Sequence, residues 1–303
     1  MRRALTLAAA GAGIGLAYAA GYEVNAFRLR RHTVAVLPPG HRPVRLLHVS
    51  DLHLTPWQRT KRDWLASLAG LHPDLVVSTG DLIAHRDSVP VLSAALGGLL
   101  RVPGVFVRGS NDYFAPELKN PARYLLPDDG RRSIDGERLP TAELDDLLTT
   151  AGWLDADNAR GSLRVGELVL DVAGTDDAHL GYDRYDDVSG PRTPGADLLL
   201  GVTHAPYLRV LDAMAADGAD LILAGHTHGG QLCLPGGRAL VTNCDLDAGR
   251  ARGLSTHPHG SAEPDATWLH VSGGLGTSPT APVRFACPPE ASVLTLVERP
   301  LAP

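Results

Sequence analysis

Val44-Arg45-Leu46-Leu47-His48-Val49-Ser50-Asp51-Leu52-His53 is an apolar run that stops abruptly on a serine, an aspartate and a histidine. A short apolar run closed by polar residues reads as a buried strand. Downstream, Trp64, Leu65, Leu68 and Leu71 fall at helical spacing before His72-Pro73. A second strand over 74–78 then ends in Thr79-Gly80-Asp81. Residues 89–100 read as a helix weakened by Gly97-Gly98, and 104–108 as a third strand ending in Gly109-Ser110-Asn111-Asp112. Strand, helix, strand, helix, strand predicts an α/β sheet with helices on its faces, and such sheets gather ligands beyond the carboxyl ends of their strands.

The alternation continues in the second half, without an internal repeat. Residues 163–172 alternate like hairpin strands around Val165-Gly166-Glu167. A buried strand over 198–202 leads to Thr203-His204, and a helix is expected over 208–216. Then Leu221-Ile222-Leu223-Ala224 runs into Gly225-His226-Thr227-His228-Gly229-Gly230-Gln231, where glycines let the backbone come close to whatever the imidazoles hold. Alone, that stretch could equally be two surface histidines in a loop. Residues 268–272 and 292–297 read as closing strands. Between the halves, 113–136 is polar and broken by Pro116, Pro121, Pro127 and Gly130, an excursion or lid. A helix follows, with Thr141 as its expected cap, Leu144, Leu147 and Leu148 on the buried face, and Gly152 closing it.

Composition sets the outer bounds. The chain has 303 residues, 44% hydrophobic and 20% charged, enough to bury a sizeable core. A net charge of −6 without a long basic run argues against nucleic acid as a partner, and no protein partner is predicted. Three cysteines without a C-x-x-C pair exclude a disulfide framework and a zinc knuckle, leaving at most a Cys233–Cys244 bridge. At the amino terminus, Met1-Arg2-Arg3 precedes an uncharged Ala/Gly-rich stretch, 4–22, with an A-x-A site at Ala17-Tyr18-Ala19. Residues 1–22 are therefore read as a signal peptide or membrane anchor, placing the protein at the membrane or outside it, with 23–43 as a connector, where Pro38 and Pro39 mark a connector or an edge strand over 33–41, and 44–303 as the main folded body. Arg28, Arg30 and Arg31 oppose Arg2 and Arg3 in setting orientation.

Collected in order, the strand-end residues are Asp51, His53, Asp81, Asn111, Asp112, His204, His226 and His228. Carboxylates and imidazoles without thiolate suit Mn²⁺, Fe²⁺ or Zn²⁺. The set is too large for one ion, whereas two ions about 3.5–4 Å apart sharing a carboxylate use about seven ligands. In this order, Asp51-x-His53, Gly80-Asp81, Gly109-Ser110-Asn111-Asp112, His204 and Gly225-His226-Thr227-His228 resemble the calcineurin-like metallophosphoesterase family. Spacings of 28 residues from His53 to Asp81 and 30 from Asp81 to Asn111 each fit one strand-helix-strand unit. Gly225 to Gln231 and the tail Gly274-Leu275-Gly276-Thr277, Arg284-Phe285 and Pro288-Pro289-Glu290 are similar to its membrane-associated bacterial phosphodiesterases of the UDP-2,3-diacylglucosamine hydrolase-like type.

That resemblance implies a four-layer sandwich of two mixed β-sheets flanked by helices, and two divalent metal ions as cofactors. Asp51, His53 and His228 would hold the first ion, Asp81 would bridge both, and His204, His226 and an amide would hold the second. A hydroxide between the ions would attack phosphorus. One motif departs from the family, which places Asn where this chain has Ser110 and an acid histidine where it has Asn111. Either Asn111 supplies the amide by a one-residue shift, or Ser110 ligates and Asn111 bonds phosphate; the longer reach of an amide favours Asn111. With Asn111 and Asp112 as the catalytic pair, the proton for the leaving group must come from water, His179 or Asp177. Ala84 stands where purple acid phosphatases carry tyrosine. Arg108 and Arg284 are candidate phosphate partners, and Trp57 and Tyr113 candidate walls of the mouth.

The expectation is a phosphoesterase acting on a phosphodiester or pyrophosphate of a phosphorylated small molecule or lipid. The altered Ser110-Asn111 motif keeps open a metal-binding protein that recognises phosphorylated ligands without turnover.

Overall fold

The computed structural model describes residues 13–117, 136–261, 263 and 266–300. Two six-stranded sheets stack face to face. The first contains β1 (Arg28–Leu37), β2 (Val44–Val49), β3 (Leu75–Ser78), β4 (Gly104–Phe106) and β5 (Leu154–Asp155). The second contains β6 (Arg160–Val165), β7 (Leu168–Gly174), β8 (Leu198–Val202), β9 (Leu221–Ala224), β10 (Gly253–His257) and β11 (Thr267–Val271). The last strand, β12 (Glu290–Glu298), returns to the first sheet. The orders are β1-β12-β2-β3-β4-β5 and β10-β11-β9-β8-β7-β6. Both sheets are mixed: β12 runs antiparallel to β2 in one, and β6 and β10 are the antiparallel edges of the other.

Helices α1 (Arg59–Ser67), α2 (Ser88–Leu96) and α3 (Thr141–Thr150) cover the outer face of the first sheet, and α4 (Leu208–Ala216) covers the second. Period-two alternation sorts each strand's side chains into three apolar layers. On β2, Leu47 and Val49 face α1 and α2, whereas Val44 and Leu46 face the other sheet. On β11, Leu269 and Val271 pack toward α4 with Val210, Leu211 and Met214. The architecture is thus the expected four-layer sandwich.

Two open readings resolve. The stretch 23–43, expected as a connector with a connector or edge strand over 33–41, contains β1, the edge strand of the first sheet, which pairs in parallel with β12 from Arg28↔Glu290 onward, so the sheet begins at Arg28, ahead of Val44. The partner lies some 260 residues away, beyond the reach of a local pattern. Cys233 is not bridged to Cys244; it lies beside Cys287, both thiols donating to the carbonyl of Gly229 at 3.2 and 3.4 Å.

Of the amino-terminal segment, residues 1–12 lie outside the described residues. Residues 13–17 are helical and continue through Tyr18–Tyr22 and Glu23–Asn25. This stretch is tied down: Arg284 N–H donates to Ala19 O (3.1 Å), Tyr18 packs edge-on to Phe285, and buried Glu23 accepts from the amides of Ala286 and Cys287. Among the described residues, no helix is long and apolar enough to cross a membrane.

Candidate metal centre

The carboxyl ends of β2, β3, β8 and β9 meet at one edge of the sandwich, so residues from both sheets converge there. One ligand atom each from Asp51, His53, Asp81 and His228 lies within 4.8 Å of every other. Within that nest His53 Nε2 is 3.0 Å from His228 Nε2 and 3.4 Å from Asp81 Oδ2, and His228 Nε2 is 3.6 Å from Asp51 Oδ1. On the other side of Asp81, His204 Nε2 lies 3.7 Å from Oδ2, and the His204 and His226 rings are 5.2 Å apart. Asp81 therefore stands between two groups of donors.

Backbone carbonyls set the tautomers. His204 Nδ1 donates to Thr79 O (2.6 Å), His226 Nε2 to Asn243 O (3.1 Å) and His228 Nδ1 to Gly276 O (3.0 Å). A carbonyl only accepts, so each of those nitrogens carries a proton, and wherever the ring is neutral its other nitrogen keeps a bare lone pair. Burial supports neutral rings, lowering His226 to about 3, His228 to about 4 and His53 well below its ordinary value. His204 differs: burial would lower it, but the carboxylates of Asp81, Asp177 and Asp51 raise it to about 9. Burial in turn pushes Asp81 well above the usual carboxylate range.

The donor set fits divalent cations. His204 Nε2, His53 Nδ1 and Asn111 Oδ1 are buried polar atoms without a hydrogen-bond partner, a costly condition that coordination relieves for those facing the ion. Of the neighbouring pair, Ser110 Oγ accepts from Asn111 Nδ2 (3.1 Å), and Asn111 Oδ1 is the buried oxygen without a partner. Asn111 N–H also holds Asp81 Oδ1 at 2.7 Å.

Asp112, expected as catalytic, is not among the residues that line the cavity into which the centre opens. It is fully buried, and its two oxygens accept from four backbone amides: Asp81 (2.8 Å), Leu82 (2.8 Å), Ile83 (3.2 Å) and Gly109 (3.0 Å). It clamps the Asp81 loop to the turn after β4. Thr141 is likewise not a cap; its hydroxyl donates to Asp112 O at 2.7 Å. Arg108 forms ion pairs with Asp145, Asp155 and Asp157, and Tyr113 donates to Asp176, so both are engaged away from the cavity. Arg284 is fully buried and donates to the carbonyls of His228, Gly273, Gly274, Gly276 and Cys287, pinning the two glycine-rich loops together. Trp57 is 65% exposed and meets His85 edge-on, 5.3 Å between ring centres. None of the four lines the cavity.

Backbone strain marks the same place. Ten non-glycine residues among those described have positive φ, and five of them are Asp51, His53, Asp81, His226 and His228. Such conformations cost about 1 kcal/mol or more each and persist only where the surroundings impose them. No sequence pattern announces this, since glycine is the residue that usually betrays a left-handed turn.

The centre opens into a cavity of about 420 Å³. Its floor carries His53, Asp81, Ser110, Asn111, His226 and His228. Its walls are largely apolar, with Phe114, Leu180, Leu232, Leu240, Val241 and Val283. His179 also lines it, its ring 4.4 Å from that of His226 and its Nδ1 3.2 Å from Tyr207 Oη.

Comparison with known proteins follows this geometry. The sequence model of the calcineurin-like phosphoesterase family matches residues 44–230. The chain is 26% identical to the uncharacterized metallophosphoesterase YkuE of Bacillus subtilis, over 97% of this chain and 93% of that one. It is 26% identical to the phosphodiesterase YaeI of Escherichia coli, over 73% and 74% of the respective chains. It is 27% identical to a Bos taurus transmembrane protein with metallophosphoesterase domain, over 65% of this chain and 43% of that one.

Proposed function

Because the chain belongs to the calcineurin-like phosphoesterase family, we propose that it is a two-metal hydrolase of a phosphodiester or pyrophosphate bond, with Mn²⁺, Fe²⁺ or Zn²⁺ as the ions. The observation that carries this reading is Asp81, flanked by the Asp51, His53 and His228 nest on one side and by His204, His226 and Asn111 on the other. Asp51, His53, Asp81 and His228 would hold one ion, and Asp81, Asn111, His204 Nε2 and His226 the second. When bound, such ions make a hydroxide available near neutral pH and neutralise charge growing on phosphoryl oxygens.

The chain's own residues supply the rest. Asp112 and Arg284 hold the ligand loops in their strained geometry. Asn111 is not an acid, so we assign proton delivery to the leaving alkoxide to His179, the other imidazole in the cavity wall; Asp177 does not line the cavity. The relative named a phosphodiesterase supports a diester over a monoester.

The apolar walls fit a substrate with an acyl or alkyl portion. Leu240 at the mouth is 46% exposed, and Phe285, beside wall residue Val283, packs against Tyr18 of the amino-terminal segment. A segment anchored at the membrane would thus hold the mouth near lipid-linked phosphates, in keeping with relatives named as transmembrane proteins.

Purified protein with Mn²⁺ should hydrolyse a chromogenic phosphodiester, and His226→Ala should abolish that activity. Activity that survives in His226→Ala, or ion binding without turnover of any mono- or diester, overturns the hydrolase.

A further inference from the structure

Three histidines lie where apolar residues would be expected. His48 on β2 and His270 on β11 point into the layer between the sheets, on the same face as Leu46 and Trp268, and His32 of β1 meets His270 edge-on at 5.1 Å between ring centres. His48 and His270 are fully buried. His48 Nδ1 is 2.9 Å from His270 Nδ1, and His48 Nε2 is 2.9 Å from Thr79 Oγ1. Thr79 Oγ1 is 2.7 Å from Ser50 Oγ, and Ser50 Oγ is 2.6 Å from Asp51 Oδ2.

Proton counting orders this chain. A ligating carboxylate only accepts, so the single Ser50 hydroxyl proton goes to Asp51. Thr79 must then donate to Ser50, and His48 Nε2 must carry the proton given to Thr79. His48 is neutral in this apolar layer, where burial lowers it to about 3, so its Nδ1 is bare and His270 Nδ1 donates to it. Every proton points toward Asp51.

We propose that His270, His48, Thr79 and Ser50 form a directed hydrogen-bond relay across the two sheets that fixes the Asp51 carboxylate for metal binding, acting as positioning residues. The relay rests on the reading of Asp51 as a ligand. Gly225 supports it independently: a Cβ there would collide with Ser50 Oγ and come within 2.9 Å of Asp51 Oδ2 and Thr79 Oγ1. The glycine before His226 is the space the relay occupies. The relay therefore ties Asp51, after β2 of the first sheet, to His270 on β11 of the second. Outer hydrogen bonds of this kind are worth about 10–100-fold in metal affinity.

Nitrogen-15 spectra of the full chain labelled at histidine decide the tautomers. The relay requires Nε2–H on His48 and Nδ1–H on His270, and the opposite tautomer in either ring overturns it. Calorimetric titration of chelator-stripped protein with Mn²⁺ tests the function. Thr79→Val should bind about 10–100-fold more weakly while Thr79→Ser keeps the parental affinity, and equal binding by the two overturns the role in positioning. A parent that binds no Mn²⁺ would remove the metal reading itself, whereas the spectra judge the relay in either case.

Discussion

Replacing Asp112 by asparagine separates two roles that the sequence leaves indistinguishable. In the folded protein Asp112 Oδ1 serves the amides of Leu82 and Ile83, and Oδ2 serves those of Asp81 and Gly109. An amide has one oxygen, so whichever way it turns, two buried N–H groups face an NH₂. Each donor left without an acceptor costs about 1–3 kcal/mol, so Asp112→Asn should destabilise by about 2–6 kcal/mol. At about 2 °C per kcal/mol for a chain of this size, the melting temperature should fall by roughly 4–12 °C. Mn²⁺ affinity should weaken too, because one orientation frees the amides of Asp81 and Gly109 and the other those of Leu82 and Ile83, which follow Asp81 in the same loop. The assay is thermal unfolding followed by circular dichroism, with and without chelator, beside a metal titration. A variant that melts within about 1 °C of the parent but has lost turnover would refute the clamp and restore Asp112 to the chemistry.

Two further outcomes follow from named atoms. Asn111→Ala should lower bound metal from two ions toward one, measured by elemental analysis of the dialysed protein, while Ser110→Ala should keep both; the reverse ranking would make Ser110 the ligand. Burial pushes the Lys61 amine, which donates to Leu52 O at 2.6 Å, from its ordinary 10.5 down to about 7. Between those values the unfolded chain binds the extra proton, so this group's penalty is full below about pH 7 and is relieved as pH rises toward 10.5. Urea unfolding of parent and Lys61→Met over that range should show the parent gaining relative stability by up to about 1.4 kcal/mol per pH unit. Parallel curves would show that the amine is not buried as described.

Local pattern alone carries much of this protein. Apolar runs ending in Asp51-Leu52-His53, Gly80-Asp81, His204 and Gly225-His226-Thr227-His228 are strands with carboxylates and imidazoles at their carboxyl ends. Strand and helix periods differ, and both are visible within a dozen residues. The alternating sheet architecture and the residues that converge at one edge of the sandwich were therefore legible, as was the break in the motif at Ser110-Asn111. What one helical turn does with successive side chains was not legible: Asn111 faces Asp81 while its neighbour Asp112 turns inward to four amides, a choice made by loops from two strands. Neither was the strand Arg28–Leu37, whose partner β12 lies at the far end of the chain, nor the employment of Arg108 and Arg284 away from the cavity. The line of protons from His270 through His48 to Asp51 belongs to the same class. Every link but the last, from Ser50 to its neighbour Asp51, joins residues at least 29 positions apart, and hydrogen-bond direction is a property of atoms 2.6–2.9 Å apart. Sequence by itself determined which residues stand at the strand ends; only the packing of one sheet on the other decided which of them meet, and which hold the others in place.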